Sequence, residues 1–205
     1  CGVNSDCPRY LEFWNLVFIQ YNRDEKGELH PLPEKHVDTG LGFERITSIL
    51  QGKGSNYDTD LFMPIINQVQ DISGVKYDGQ DGISHRVISD HIRCLTFAIS
   101  DGVMPSNEGR GYVIRRILRR AILYGKKVEL NEPFLHSLVD PVVDIMGDAY
   151  PEIRQRQGFV KKIILGEEER FLQTLDRGLE ILDSSLSKLK AEGKSTLSGE
   201  TAFEL

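Results

Sequence analysis

Cysteine is scarce: the 205 residues hold three, Cys1, Cys7 and Cys94. An odd, sparse count without C-x-x-C spacing excludes a disulfide framework and a zinc knuckle and favours a reducing compartment. No apolar run approaches the roughly 20 residues of a membrane-spanning helix. Positive charge is not in excess either. Against 31 Asp and Glu stand 25 Lys and Arg, a formal net charge of -6, so the chain as a whole is not a basic nucleic-acid coat. Internal repeats and low-complexity tracts are lacking. Neither an initiator Met nor a signal peptide opens the sequence, and it stops just after Gly199 to Glu204, which reads as a helix beginning. Both edges suggest an internal fragment. What is present, 40% hydrophobic and 27% charged residues, is the composition of a globular protein long enough for one large domain or two small ones.

The periodicity changes along the chain. Leu11 to Asn22, with Phe13, Trp14, Val17, Phe18, Ile19 and Tyr21, predicts a long, well-buried strand. Asp24 to Gly27 is a turn signal, and 28–32 a returning strand that Pro31 and Pro33 should break. Val37 to Leu41 predicts another short strand, and Phe43 to Gln51 a helix. From Asp60 the spacing is helical, with helices over 61–72, 86–98, 110–124, 133–146 and 159–190. The fold class expected is α+β: antiparallel strands with a helix over 1–59, then an all-helical domain over 60–205.

Two segments carry chemistry. In Asp38-Thr39-Gly40-Leu41-Gly42-Phe43-Glu44-Arg45 a carboxylate ends a strand, two glycines follow, and a Glu-Arg pair opens a helix. Glycines let backbone approach a bulky ligand, a helix N-terminus offers N–H groups to anions, and Arg45 adds a planar cation for phosphate or base. Asp38 suits a cation such as an amino group. The alternative is a plain strand–turn–helix corner with a capping Asp. The third glycine of a dinucleotide fingerprint is lacking, and Gly52-Lys53-Gly54-Ser55 is not a phosphate loop.

The second segment is Pro105 to Tyr112 and the helix after it. Val113, Ile114, Ile117, Leu118, Ala121 and Ile122 fall on one side; Arg115, Arg116, Arg119 and Arg120 fall on the other. Arg110, Lys126 and Lys127 extend a run that no acidic residue interrupts. Such a face is a footprint for nucleic-acid phosphates, or else a solvated face balanced by carboxylates of neighbouring helices. Asn107, ahead of it, is suited to read a base edge by donating and accepting together. The five histidines show no metal-ligand spacing, and His91 reads as a packed or capping residue. Cys1 and Cys7 could join a cluster upstream. Leu172, Leu175, Leu179, Leu182, Leu186 and Leu189 form a heptad seam, expected to pack within a helical bundle.

Phe13 to Asn22, Pro31-Leu32-Pro33, Val37 to Arg45, Ser55 to Phe62, Arg86 to Arg93, Pro105 to Arg120, Glu167 to Leu182 and Gly199 to Phe203 together resemble the alanyl-tRNA synthetase family. The resemblance covers essentially the whole chain. It implies the C-terminal part of a class II antiparallel catalytic sheet, carrying motif 3, followed by a helical tRNA-recognition domain. The implied reaction is ATP- and Mg2+-dependent formation of alanyl-adenylate, then transfer of alanine to the tRNA. It further implies that Asp38 holds the substrate ammonium, Asn15 its carboxylate, Gly40 and Gly42 the floor of the site, and Arg45 the ATP. Asn107 resembles the family residue that reads the G·U wobble at the third acceptor-stem pair. Arg110, Arg115, Arg116, Arg119 and Arg120 would hold the stem by its phosphates. The partners implied are the alanine tRNA acceptor stem, L-alanine and ATP, with no membrane and no DNA, in the cytoplasm or in an organelle if a targeting segment has been removed.

The sequence also departs from that family. Class II motifs 1 and 2, the downstream Tyr-Asp-x-x-Gly-Phe-Pro-like segment and the editing domain with its metal-binding residues are not in it, so the family's Zn2+ is not expected here and no residue is assigned as a metal ligand. The isolated 205 residues are accordingly expected to form no adenylate. An RNA-stem-binding module without catalysis, or a helical interaction domain whose arginines meet carboxylate partners, are the competing readings.

Overall fold

The computed structural model describes residues 2, 10–78, 82–191, 193 and 196–204. Cys1 and Cys7 lie outside the described residues, and with them the idea of a cysteine cluster. The chain divides into two compact units, Cys1–Leu61 and Phe62–Leu205.

The first unit is an antiparallel hairpin of β1 (Trp14–Arg23) and β2 (Leu29–Leu41) followed by helix α1 (Phe43–Leu50). The turn is fixed by Asp24, whose Oδ1 accepts from the backbone N–H groups of Lys26 and Glu28, both at 2.9 Å. Two sequence expectations need correction. Pro31 and Pro33 do not end the returning strand. The pairing passes from Ile19↔His36 to Tyr21↔Pro31, so Gln20 alone faces residues 32–35. Pro33 falls in the resulting bulge, and Pro31 sits at its edge, paired with Tyr21; such irregular places are where a ladder tolerates proline. Nor is β1 buried: it is exposed along its whole length, with Trp14 at 56% and Phe18 at 68%. Two strands and an eight-residue helix cannot cover two apolar strand faces.

The second unit is helical: α2 (Met63–Ser73), α3 (Ile83–Ser100), α4 (Gly109–Lys126), a 3-10 turn (Leu135–Leu138) running into α5 (Val139–Met146), then α6 (Pro151–Ala191) and α7 (Gly199–Glu204). The helix expected over 133–146 is thus split, and the long one begins at Pro151, a residue suited to a first turn because its missing N–H has no intrahelical partner there. One core joins α2 to α6. Ile65 and Val69 of α2, Ile88, Ile92, Leu95 and Ile99 of α3, and Leu118 and Ile122 of α4 are fully buried, at the i, i+4 spacing that lines one helix face. Val113, expected on the apolar side of α4, is exposed. Gly125 instead completes that side; a Cβ there would come within 2.4 Å of the Phe134 ring, so the glycine is what seats the ring.

The leucine seam also departs from expectation. Leu172 is buried, but Leu179 is 47% exposed, Leu186 is exposed, and Leu175, Leu182 and Leu189 are half-buried. At 41 residues, roughly 60 Å at 1.5 Å per residue, α6 is longer than the bundle it packs on.

Glu168 ties α6 to the rest. Its side chain is fully buried, and Oε1 accepts from the backbone N–H of Phe134 at 2.8 Å and of Leu135 at 2.9 Å. A carboxylate from a distant helix therefore caps the 3-10 turn, satisfying donors that the turn leaves open. Burial pushes the Glu168 carboxyl above the usual carboxylate range, against the opposing pull of these two N–H groups and of His136. The native chain then keeps a proton that the unfolded chain has lost, so this contribution to stability is full below the unfolded carboxyl range and is lost as pH rises through the folded value. Glu168→Gln keeps an acceptor and removes the titration. We expect it to be at least as stable as wild type at pH 7 and to lose this part of the pH slope. Glu168→Ala orphans two N–H groups and should lose about 2–5 kcal/mol. Denaturant unfolding between pH 4.5 and 8 checks this, and equal losses in both variants would sink it.

Candidate functional site

In the first unit the register decides which residues share a face. Asn15 stands opposite Gly40 and Val17 opposite Asp38, so side chains at 15, 17, 38 and the Gly40 backbone lie on one face, by the two-residue alternation of strands. Trp14, Leu16 and Thr39 lie on the other, where the Trp14 indole N–H donates to the Thr39 hydroxyl. Gly42 caps α1, and its N–H donates to the Phe13 carbonyl at 2.8 Å. Arg45, in the first turn of α1, donates through Nη1 to the Glu12 carbonyl at 2.6 Å, while Asn15 Nδ2 donates to Glu12 Oε1 at 2.7 Å. The Asp38 carboxylate accepts from the N–H of its neighbour Thr39 at 2.9 Å and is exposed. The hairpin thus brings Asn15, Asp38 and Gly40 together, with Arg45 held at its open end beside Glu12.

The opposite end of the hairpin holds a group that spacing did not reveal. Ligand atoms of Asp24, Glu28 and His30 lie within 4.8 Å of one another. Asp24 Oδ2 meets His30 Nε2 at 2.9 Å, and that hydrogen bond, followed by the Glu28 N–H, holds the Asp24 carboxyl below its usual range. These contacts are the hairpin turn itself.

In the second unit, α4 presents the arginines in two sets. Arg110, Arg116 and Arg120 are exposed. Arg115 and Arg119 turn toward α6, where Glu167 is 2% exposed. Arg115 Nε approaches Glu167 Oε1 at 2.9 Å as an ion-pair contact, and its Nη2 donates to Oε2 at 3.4 Å. Arg119 Nη2 donates to Oε1 at 3.3 Å, and its guanidinium lies 4.9 Å from the Phe171 ring centroid. Arg115 also donates through Nη1 to the Asn107 Oδ1 and through Nη2 to the Pro105 carbonyl at 3.5 Å. A shallow groove of about 470 Å³ runs along the helix between Tyr112, Arg115, Arg116, Arg119, Arg120 and Leu123. The reading of a face balanced by a carboxylate of a neighbouring helix therefore holds for Arg115 and Arg119, while Arg110, Arg116 and Arg120 lie on the exposed side.

The loop before α4 is locked onto it. Ser106 N–H donates to the Gly111 carbonyl at 3.1 Å and Ser106 Oγ to the Glu108 carbonyl at 2.8 Å. Gly111 makes this approach possible, since a Cβ would sit 2.2 Å from Ser106 Oγ and 2.3 Å from the Met104 carbonyl oxygen. His91, expected to pack or cap, is largely buried, with Nδ1 3.0 Å from Asp90 Oδ2. Glu167 is the residue that sequence reasoning missed. The signal was present: Val160, Ile164, Phe171 and Leu172 repeat at helical spacing, and Glu167 and Glu168 occupy the stripe between them.

The family model of tRNA synthetases class II (A) matches residues 2–205. The chain belongs to the class II (A) tRNA synthetases. Within that family it is 57% identical over 99% of its length to the alanine–tRNA ligase of Chlorobium phaeovibrioides, 53% over 99% to that of Chlorobium chlorochromatii, and 52% over all of it to that of a Thermoanaerobacter species. It spans 23–24% of those relatives. The hairpin and the helices fit the α+β class of a class II synthetase segment. Among the described residues no helix is long and apolar enough to cross a membrane.

Gly111→Ala tests the locked loop. We expect it to cost about 1–3 kcal/mol by overpacking. Gly166→Ala in α6, where nothing lies within 4 Å of a new Cβ, should instead gain about 0.5–1 kcal/mol of helix stability. Denaturation midpoints of the two variants decide; a Gly111→Ala chain as stable as wild type would show that the loop is not held by this approach.

Proposed function

We propose that this chain is the segment of an alanine–tRNA ligase that carries the end of the amino-acid and ATP site and a surface for the acceptor stem of the alanine tRNA. The reaction is attack of the alanine carboxylate on the α-phosphate of ATP, releasing pyrophosphate, followed by transfer of alanine to the terminal ribose of the tRNA. That relatives 52–57% identical to the chain are alanine–tRNA ligases supports the choice of alanine. The observation that carries the RNA reading is the head of α4. A side-chain amide, Asn107, is fixed in front of a helix whose Arg110, Arg116 and Arg120 face solvent.

The roles follow from chemistry. Asp38 takes the substrate ammonium, Asn15 on the same face takes its carboxylate, the Gly40 and Gly42 backbone forms the floor, and Arg45 takes ATP phosphate or base. For magnesium this chain's own donors are few: among the described residues of that face Asp38 is the one carboxylate, and it is assigned to the ammonium, so the ion would be held mainly through ATP phosphates and water. Along α4, Arg110, Arg116 and Arg120 meet stem phosphates, with Arg115 and Arg119 beside them, and Asn107 meets the third pair. A-form RNA offers its base edges in a wide, shallow minor groove, which suits a surface residue better than a deep pocket does.

Adenylate formation needs fixed charge and exclusion of water, and the face that bears Asp38 is open and exposed. The isolated chain is expected to show no alanine-dependent ATP–pyrophosphate exchange. In the full-length ligase Asp38→Ala and Arg45→Ala are expected to lose exchange and keep tRNA binding. Three exposed arginines on phosphates predict a slope of log K against log salt of about -2 to -3 for an acceptor-stem minihelix, reduced by about 1 in Arg116→Ala. Measurable exchange by the isolated chain, or stem binding indifferent to salt, would overturn the corresponding part.

A further inference from the structure

We propose that Arg115 is the positioning residue that fixes the Asn107 amide with its donors toward a base edge, and that buried Glu167 is the anchor holding Arg115 for that task. The inference rests on the RNA-stem reading above and adds the device that would make it selective.

A guanidinium has donors and no acceptor. Its bond to Asn107 therefore fixes the amide with Oδ1 toward Arg115, and both hydrogens of Nδ2 remain for a ligand. The sequence alone suggested that Asn107 donates and accepts together. With Oδ1 turned to Arg115, Nδ2 is the group that faces a ligand, and it seeks acceptors, a pyrimidine carbonyl oxygen or a purine ring nitrogen. U and C both offer O2 in the minor groove, and wobble pairing displaces the pyrimidine, so the G·U and G·C pairs differ in where that acceptor sits.

Arg115 can do this because it is itself fixed from behind. Its side chain is 20% exposed, and besides Asn107 it makes three contacts: Glu167 Oε1 at 2.9 Å, Glu167 Oε2 at 3.4 Å and the Pro105 carbonyl at 3.5 Å. Glu167 is shared with Arg119 and Arg170, each at 3.3 Å, which compensates its burial. The fork of Arg115 thus spans a buried carboxylate and an exposed amide. A lysine can hold one of these, not both in fixed geometry.

The test uses the labelled 205-residue chain and two acceptor-stem minihelices, with G·U or G·C at the third pair. The Asn107 side-chain amide signals are assigned by their loss in Asn107→Asp. In wild type we expect a separated pair. In Arg115→Lys and Glu167→Gln we expect it to collapse toward the position of free asparagine, while the core methyl spectrum is unchanged. On RNA, Arg115→Lys should reduce the ratio of G·U to G·C affinity about fivefold or more with an unchanged salt slope, since the charge is kept. Asn107→Asp, which keeps the Arg115 contact and lacks the donors, should lose the ratio as well.

An amide pair undisturbed in Arg115→Lys overturns the proposal. So does a ratio that falls in Asn107→Asp and survives in Arg115→Lys. A ratio kept by Asn107→Asp overturns the donor role. A wild-type chain that binds both stems alike overturns base reading by Asn107 and with it the selective function proposed here. If Glu167→Gln fails to fold, Arg115→Lys alone decides.

Discussion

Two consecutive carboxylates, Glu167 and Glu168, are buried in the helical unit and hold different elements of it. Successive helix residues point about 100° apart, so one α6 position can serve two neighbours. Glu168 reaches the 3-10 turn ahead of α5; Glu167 reaches Arg115 and Arg119 on α4. Burying a carboxyl group is costly without partners, and here Glu167 meets arginines with both oxygens while Glu168 meets two N–H groups with Oε1. That requirement is stricter than apolar contact, which permits sliding. A leucine stripe would let α6 shift along α4 by part of a turn; a carboxylate that must meet two guanidinium groups and its neighbour that must meet two backbone N–H groups would not. The register of α6 against both elements follows, and so does the position of Asn107 at the far end of the Arg115 fork.

The two units treat apolar surface differently. In the helical unit the stripes of α2 to α6 meet one another and disappear into one core. In the first unit β1 exposes Trp14, Leu16, Val17 and Phe18, from both faces of the hairpin. A two-stranded hairpin is at best marginally stable in water, and strands apolar on both faces belong to sheets covered on both sides. The exposed leucines of α6 from Leu179 onward pose the same question for a helix. A chain that spans 23% of a relative's length has room in that relative for what covers them.

Much of this was legible in the sequence. Helical spacing located α2, α3 and α4, and the Asp24-Glu25-Lys26-Gly27 turn located the hairpin, because both signals are local. Burial was less legible. The aromatic β1 reads as buried because composition reports what a strand can pack against, not what is present beside it. The prolines read as a strand end because a bulge is a property of the pair and not of either strand. The α6 leucines repeat regularly whether or not a neighbour reaches them. Glu167 and Glu168 were hidden in plain view: in Gly166-Glu167-Glu168-Glu169-Arg170 they look like solvated charge, and only their place in the stripe of Val160, Ile164 and Leu172 marks them as interior. For the candidate site, spacing brought Asp38, Gly40, Gly42 and Arg45 to one corner. That Asn15 shares the face of Asp38 and Gly40 depends on a register across the turn, which spacing within one strand does not contain.

Counting charges on α4 overstates what it can offer a polyanion. Glu167 offsets one positive charge and fixes two guanidinium groups, so a phosphate approaching Arg115 or Arg119 competes with a buried carboxylate at about 3 Å. Displacing either arginine would leave Glu167 buried with less compensation, a loss larger than an exposed arginine–phosphate contact returns. On the proposed reading the inner arginines are structural and the outer ones supply the attraction: long-range attraction from Arg110, Arg116 and Arg120 tolerates many geometries and would bring any stem to the helix. Discrimination needs a group that does not move when the stem arrives. On the proposed reading Asn107 meets that condition because the guanidinium that holds it is itself fixed by a buried carboxylate.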